Sequence, residues 1–360
     1  MAALKVAVVG LSGIGSRHCA CYQQDPLASL VAVCDIAAEK ADAVGSRLGV
    51  RAYHRLSDLL AAEPDLDLVD IATGGAENGS WHCAPVMEAI AAGRNVLVEK
   101  PLSNAIHEAR AMVAAAEERG VYLACNLNHY FSPPAERARA LIGDGSLGEL
   151  RHCIMKMAFS GGEETYGGPS QDPRSAGLPY FHAKAFLTHP LSVMRHLCGD
   201  VTEVQAFFGR PWFRQRAGDV LLSQTSIHLR FSGGATGYLL SHRGDTPTGL
   251  GGWWSVEVGG TRGTIAIENC VERLTLWPAR RPGGPAPVAE VYDSGLTDFE
   301  VTFGRRLHSL LEDIDARVPA HRLRGSGRDA LAALEYTWAA IRSHERGGRL
   351  VRPHDAPAAR

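Results

Sequence analysis

The chain has 360 residues with 37 basic and 39 acidic side chains, a net charge of −2. Its length exceeds that of a usual single domain, so two domains are expected. The charge balance gives no basic excess for nucleic acid or an anionic membrane surface, and no apolar stretch approaches membrane-spanning length.

From the amino terminus, Val6 to Val9 predicts a strand buried on both faces. Gly10, Gly13 and Gly15 follow with the spacing G-x-x-G-x-G and lead into a helix. That order lets backbone N–H groups and a helix N-terminus approach a pyrophosphate without side chains in the way. The turn residues Gly10, Ser12, Gly13, Ile14 and Gly15 are therefore candidate cofactor contacts. A second Val-rich strand, Leu30 to Cys34, ends at Asp35, at the distance where an acid meets a ribose hydroxyl. A carboxylate there repels a 2′-phosphate, and Ile36-Ala37-Ala38 offers no arginine for one, so NAD is expected rather than NADP.

Helix and strand signals then alternate: helix Ala37 to Leu48, strand Leu66 to Ala72, helix Cys83 to Ala92, strand Val96 to Glu99, helix Ser103 to Arg119 and strand Val121 to Cys125. This βαβ alternation predicts a doubly wound parallel Rossmann sheet over residues 1–125. Glu99 and Lys100 close the strand Val96 to Glu99 at its carboxyl end, where open α/β sheets bind ligands. A lysine there can donate to a reacting hydroxyl or ketone oxygen. The residues alone leave two readings open: this role, or a solvated Lys100 with Pro101 starting the next helix.

The texture changes near Arg151. Strand-like stretches at 151–159, 202–209, 222–231, 235–241, 254–258, 263–267 and 273–277 suggest an antiparallel meander. A long polar loop, Gly161 to Gly177, carries Glu163, Glu164, Tyr166, Gln171, Asp172 and Arg174, and a helix follows around 180–197. Such loops bind ligands in some proteins and are merely solvated in others, so its role stays open. Helices near 301–317 and 327–345 precede a tail over 351–360 expected to be disordered. The second domain is placed at 126–350, as an α+β unit with a large, mostly antiparallel open sheet. The eight cysteines are scattered in apolar segments with no metal-ligand spacing. With a first strand close to Met1, which leaves no room for a leader, they suggest reduced thiols in a cytoplasmic protein.

The glycine turn together with Ala-Gly-Arg-Asn-Val-Leu-Val-Glu-Lys-Pro (92–101) resembles the glucose–fructose oxidoreductase / inositol dehydrogenase / MocA family. The resemblance covers about residues 4–350 in element order. It implies an N-terminal Rossmann domain, a C-terminal domain with a large open sheet, and hydride transfer between nicotinamide and a secondary alcohol or ketone of a sugar, amino sugar or cyclitol. The family's Thr-Pro-Asn segment appears as Thr73-Gly74-Gly75, with His82 aligned after a short insertion, so Thr73, His82, Glu99 and Lys100 join the expected cofactor contacts. Asn126 opens the crossover segment Asn126-Leu-Asn-His-Tyr-Phe-Ser-Pro133 and is an expected substrate contact.

The family places an Asp and a His four residues apart on a helix of the second domain. Here His189 matches the acid/base histidine, while Ala185 stands at the Asp position. An unperturbed imidazole titrates near neutrality and suffices to exchange the proton, with Lys100 polarising the oxygen. His182, two helical turns before His189, is a substrate contact or a packing residue; Lys184 and Tyr166 are further substrate candidates. The favoured function is a cytoplasmic NAD-dependent dehydrogenase of a small polyhydroxylated substrate. The alternatives are a retained-cofactor enzyme that uses transient oxidation for elimination or glycoside cleavage, and a non-catalytic dinucleotide-binding regulator. An uncovered sheet face predicts a homodimer or homotetramer, by analogy with the family.

Overall fold

The structure is a computed structural model that describes residues 3–74, 81–103, 105–159, 179–210, 222–243, 252–279, 284–292 and 300–353. Gly75, Tyr166 and the rest of the loop 161–177 lie outside the described residues. The chain divides into two compact units: Met1–Asn128 with Thr302–Leu331, and His129–Val301 with Ala332–Arg360.

The first unit holds a six-stranded parallel sheet in the order β3-β2-β1-β4-β5-β6. Its strands are β1 (Leu4–Val9), β2 (Ala28–Cys34), β3 (Arg51–Tyr53), β4 (Leu68–Ile71), β5 (Asn95–Val98) and β6 (Leu123–Cys125). The order reverses between β1 and β4, which opens a crevice beyond their carboxyl ends. Val6, Val8, Leu68 and Leu97 are buried because helices cover both faces, and this explains the unbroken apolar runs. The helices of this unit are α1 (Gly13–Gln24), α2 (Ala38–Leu48), α3 (Leu56–Ala62), α4 (Cys83–Ala91) and α5 (Ile106–Arg119). The helix expected from Ser103 starts instead at Ile106, after a cis Lys100–Pro101 bond and a turn in which Ser103 Oγ accepts from Ala105 N at 3.1 Å. Pro101 therefore begins no helix.

The expected boundary near residue 125 misses the return of the chain to this unit. Helix α9 (Val301–Asp315; α6 to α8 are given below) carries Leu307, Leu310, Leu311 and Ile314 at helical spacing, and all four join the core formed by Val6, Val33 and Leu68. Each such side chain contributes roughly 2 kcal/mol by leaving water. Arg306, fully buried on the same helix, donates to the Cys125 and Gly325 carbonyls at 3.0 and 3.1 Å.

The second unit holds an eight-stranded sheet in the order β14-β13-β12-β11-β7-β10-β9-β8. Its strands are β7 (Leu150–Phe159), β8 (Val201–Gly209), β9 (Gln224–Phe231), β10 (Thr236–Arg243), β11 (Trp254–Gly260), β12 (Gly263–Glu268), β13 (Arg273–Pro278) and β14 (Val288–Val291). The simple meander is corrected at one place: β7 lies between β10 and β11 and pairs in parallel with β10. Helix α6 (Pro133–Gly143) is capped by Ser132, whose Oγ accepts from Ala135 N at 3.3 Å. The helix expected over 180–197 is two pieces, α7 (Phe181–Phe186) and α8 (Thr188–Cys198). Pro190 explains the break at Leu187, since it lacks an N–H and its ring crowds the carbonyl four residues back. Helix α10 (Gly327–Glu345) begins in the first unit and continues in the second. The disorder expected over 351–360 is corrected at Val351, which pairs with Val204 through N–O bonds of 2.8 and 2.9 Å, and residues 354–360 lie outside the described residues.

Candidate functional site

In the first unit, the glycine turn closes tightly on the sheet. Gly10 has φ +89°, and a Cβ there would lie 2.7 Å from the Ala72 carbonyl oxygen. At Gly15 a Cβ would lie 1.8 Å from the Gly10 carbonyl oxygen, so only hydrogen lets α1 sit this close to the turn. Gly13 faces open space, with no atom within 4 Å of a Cβ built there. Ser12 makes no side-chain cap bond to α1, which leaves the first-turn N–H groups of that helix aimed at the opening.

Asp35, just past β2, is held from both sides. Leu11 N donates to Oδ2 at 2.8 Å and Ala37 N to Oδ1 at 2.9 Å. Burial favours its neutral form, but these two N–H groups and Lys40, 3.4 Å away, hold the carboxyl below its usual range. Lys40 also lies 3.4 Å from Ser12 Oγ and was not anticipated from the sequence. Ile36 beside Asp35 is 92 % exposed.

Thr73 follows β4 and Pro101 follows β5. His82 ties the two together, with Nδ1 2.8 Å from the Pro101 carbonyl and Nε2 3.0 Å from the Thr73 carbonyl. Burial pulls its pKa down, the two carbonyls opposing. Both ring nitrogens of His82 thus face backbone carbonyls of the protein, and its single N–H in the neutral form serves one of them.

Beneath Lys100 lies a charged network that the sequence reading did not assemble. His18 on α1 places Nδ1 2.9 Å from Asp70 Oδ2 and Nε2 3.4 Å from Glu99 Oε1, all three side chains being buried. Tyr22 OH donates to the same Asp70 oxygen at 2.9 Å. Burial works against charge on the imidazole, but the two carboxylates outweigh it and push its pKa up to about 10. Burial would raise the Glu99 carboxyl; His18, Lys100 and Asn126 together hold it below its usual range. Lys100 N donates to Glu99 Oε2 at 3.2 Å, so the network fixes the backbone from which the Lys100 side chain leaves. Asn126, expected as a substrate contact, is corrected to a member of this network: it is buried and its amide donates to Glu99 Oε1. The lone acid Asp70 inside the apolar strand Leu68–Ile71 was the signal available in the sequence.

In the second unit, His189 lies in the first turn of α8 and is buried. Its ring stacks on His129, with centroids 4.0 Å apart and planes within 8°. Trp254 Nε1 donates to His129 Nδ1 at 2.9 Å. His182 is fully buried, stacked on Phe186 at 5.2 Å, which favours its packing reading. Lys184 departs from the expected substrate role: its ammonium sits 4.5 Å from the Trp338 ring, where burial lowers its pKa against the pull of Glu345. Ala185 is 1 % exposed and offers no proton chemistry in place of the family acid.

A model of the oxidoreductase family with NAD-binding Rossmann fold matches residues 4–127, and a model of the GFO/IDH/MocA C-terminal domain matches residues 135–266. The D-apiose dehydrogenase of Paraburkholderia graminis is 30% identical over 207 residues, which are 57% of this chain and 52% of that protein. The match thus spans about half the length of that relative. The inositol 2-dehydrogenase of Rhizobium meliloti is 24% identical over 346 residues, 94% of this chain and 96% of that one. Among solved structures, a levoglucosan dehydrogenase in complex with NADH and levoglucosan has TM-score 0.83 at 18% identity, covering 99% of this chain and 100% of its own. An NAD-binding oxidoreductase from Klebsiella pneumoniae has TM-score 0.85 at 22% identity, covering 98% and 99% of the two chains. These structures share the fold, and the two matched domain models carry the identity: the chain belongs to the Gfo/Idh/MocA family of NAD-binding Rossmann oxidoreductases.

Proposed function

We propose that the chain is an NAD-dependent dehydrogenase of a secondary alcohol, or reductase of the matching ketone, on a polyhydroxylated ring such as a sugar, amino sugar or cyclitol. The observation that carries this reading is the assembly around the β1/β4 crevice: an open glycine turn, an ionised Asp35, and Lys100 held over a buried charged network. Two relatives bear names that fit it, a D-apiose dehydrogenase and an inositol 2-dehydrogenase.

The residues present suit a nicotinamide dinucleotide. The space over Gly13 accepts a diphosphate at the α1 N-terminus, and Asp35 accepts from ribose hydroxyls while repelling a 2′-phosphate. Ser12 and Ile14 belong to the turn, and the Thr73 backbone lies against Gly10, which supports all three as cofactor contacts. When bound, the nicotinamide supplies the hydride acceptor or donor. Lys100 donates to the substrate oxygen and favours its developing negative charge. His189 takes the hydroxyl proton in oxidation and returns it in reduction. Tyr166 stands as a further substrate candidate.

Among the described residues no helix is long and apolar enough to cross a membrane. All eight cysteines are free thiols, which supports a reducing, cytoplasmic setting. The outward face of the second sheet carries Ile154, Phe207, Tyr238, Leu240 and Trp277, all exposed. Tyr238 pairs directly with Ile154, so the patch is contiguous across β10 and β7, and it suits a second copy of the chain.

The test is nicotinamide absorbance with NAD and NADP over a panel of inositols, aldoses, amino sugars and their ketones. Turnover with NAD on one ring class is expected. Lys100→Ala should abolish it while NADH still binds; loss of both together would count against the assigned role of Lys100. Product formed with no NADH accumulating would replace this reading by retained-cofactor chemistry.

A further inference from the structure

His129 is given no role by the sequence beyond its place in the crossover segment, yet its ring stacks on that of His189. Its position is fixed twice. Ser132 Oγ donates to the His129 carbonyl at 3.5 Å, beside the capped start of α6. Trp254, fully buried at the start of β11, holds the ring through Nδ1 at 2.9 Å. An indole nitrogen can only donate, so Nδ1 of His129 must be the acceptor. The tautomer follows from that chemistry: a neutral imidazole with its proton on Nε2.

Protonating His129 would set N–H against N–H and strand a buried donor. The lock therefore keeps one member of the stacked pair neutral. Two imidazolium rings with centroids 4.0 Å apart would repel, whereas a neutral ring face tolerates a charged partner. His189 of α8, Trp254 of β11 and Trp253 just before it face the His129 ring, and of these three His189 is the titratable one.

We propose that His129 is a positioning residue for His189: Trp254 pins it as a neutral imidazole, and its ring face both fixes the plane of the His189 ring and reserves the proton for His189. This rests on the reading of His189 as the acid/base group. The arrangement occurs beside an α7–α8 segment whose family acid position is Ala185.

The test uses the full-length wild-type protein labelled with 15N-histidine. Ring shifts are expected to show His129 neutral with Nε2–H from about pH 5.5 to about pH 8.5, any proton taken up by the stacked pair appearing on His189. A charged His129, or one with its proton on Nδ1, would overturn the proposal without any variant. Trp254→Phe should let His129 titrate and add a second ionisation to the pH profile of kcat/KM; a profile that superimposes on wild type would also overturn it. His129→Gln keeps an acceptor for Trp254 but has no ring, and should lower kcat about tenfold with KM little changed. His189→Asn separates the two claims. Its inactivity supports the acid/base reading. Its full activity would end that reading and the positioning role together, while the ring shifts still report on the lock.

Discussion

The charge on His18 makes a quantitative prediction about stability. The rise of its pKa from 6.5 to about 10 on folding corresponds to about 5 kcal/mol of stabilisation. That agrees with the roughly 3–5 kcal/mol lost when one partner of a buried ion pair is removed. The folded pKa is the higher one, so this stabilisation is fully present below pH 6.5 and is lost as pH rises through about 10. His18 should therefore tilt the stability of the wild-type protein downward by about 1.4 kcal/mol per pH unit across that window. His18→Gln keeps a donor between Asp70 and Glu99 but no charge. It should cost about 3–5 kcal/mol at pH 6.5, and the difference from wild type should shrink toward pH 10. Urea unfolding at several pH values measures both quantities, and ring NMR of His18 gives the titration directly. A His18 that titrates near 6.5, or a variant whose deficit stays constant with pH, would refute the charged network.

Two further predictions rest on local geometry. Gly15→Ala would drive a methyl group to 1.8 Å from the Gly10 carbonyl and should cost about 3 kcal/mol in a thermal or chemical melt. Gly13→Ala meets nothing within 4 Å and should leave stability within about 0.5 kcal/mol of wild type, yet weaken NADH binding about tenfold by fluorescence titration. Undiminished binding would mean that the diphosphate does not pass over Gly13. On the outer sheet face, the double substitution Tyr238→Asp and Leu240→Asp should lower the mass seen by sedimentation to that of one chain, since both side chains project from the same face of β10. A mass that does not change would place any self-association elsewhere.

What the sequence disclosed was whatever repeats locally. The valines of β1, the glycine turn and Asp35 lie within a few dozen residues and obey one spacing rule, so the Rossmann half was legible down to the acid that follows β2. Helix ends were legible where glycine stops them, as at Gly49 and Gly120, and misplaced at Ile106, where a turn precedes the helix. Helix α9 was visible as a helix near 301–317, but nothing in its sequence says which sheet its Leu307–Ile314 face will cover.

The candidate site divides along the same line. Lys100 and His189 were singled out through the family resemblance, because each ends or begins an element in a recurring phrase. Their supports were not, because they are pairings across the chain: His18 with Asp70 is 52 residues apart, and Trp254 with His129 is 125. Some of this was nonetheless implied. An aspartate inside the apolar run Leu68–Ile71 cannot remain ionised in the core without a cation, so a partner had to exist, even though the sequence could not say that it is His18. A buried tryptophan likewise demands an acceptor for its N–H. Buried polar groups thus state a requirement in sequence, and the fold names the residue that meets it. Both groups that meet one here, His18 and His129, are histidines, and their partners set them to opposite protonation states: carboxylates hold His18 charged, while an indole donor keeps His129 neutral. The same residue type thus steadies the backbone of Lys100 in one unit and the ring of His189, the proposed acid/base group, in the other, through the chemistry of what each ring faces.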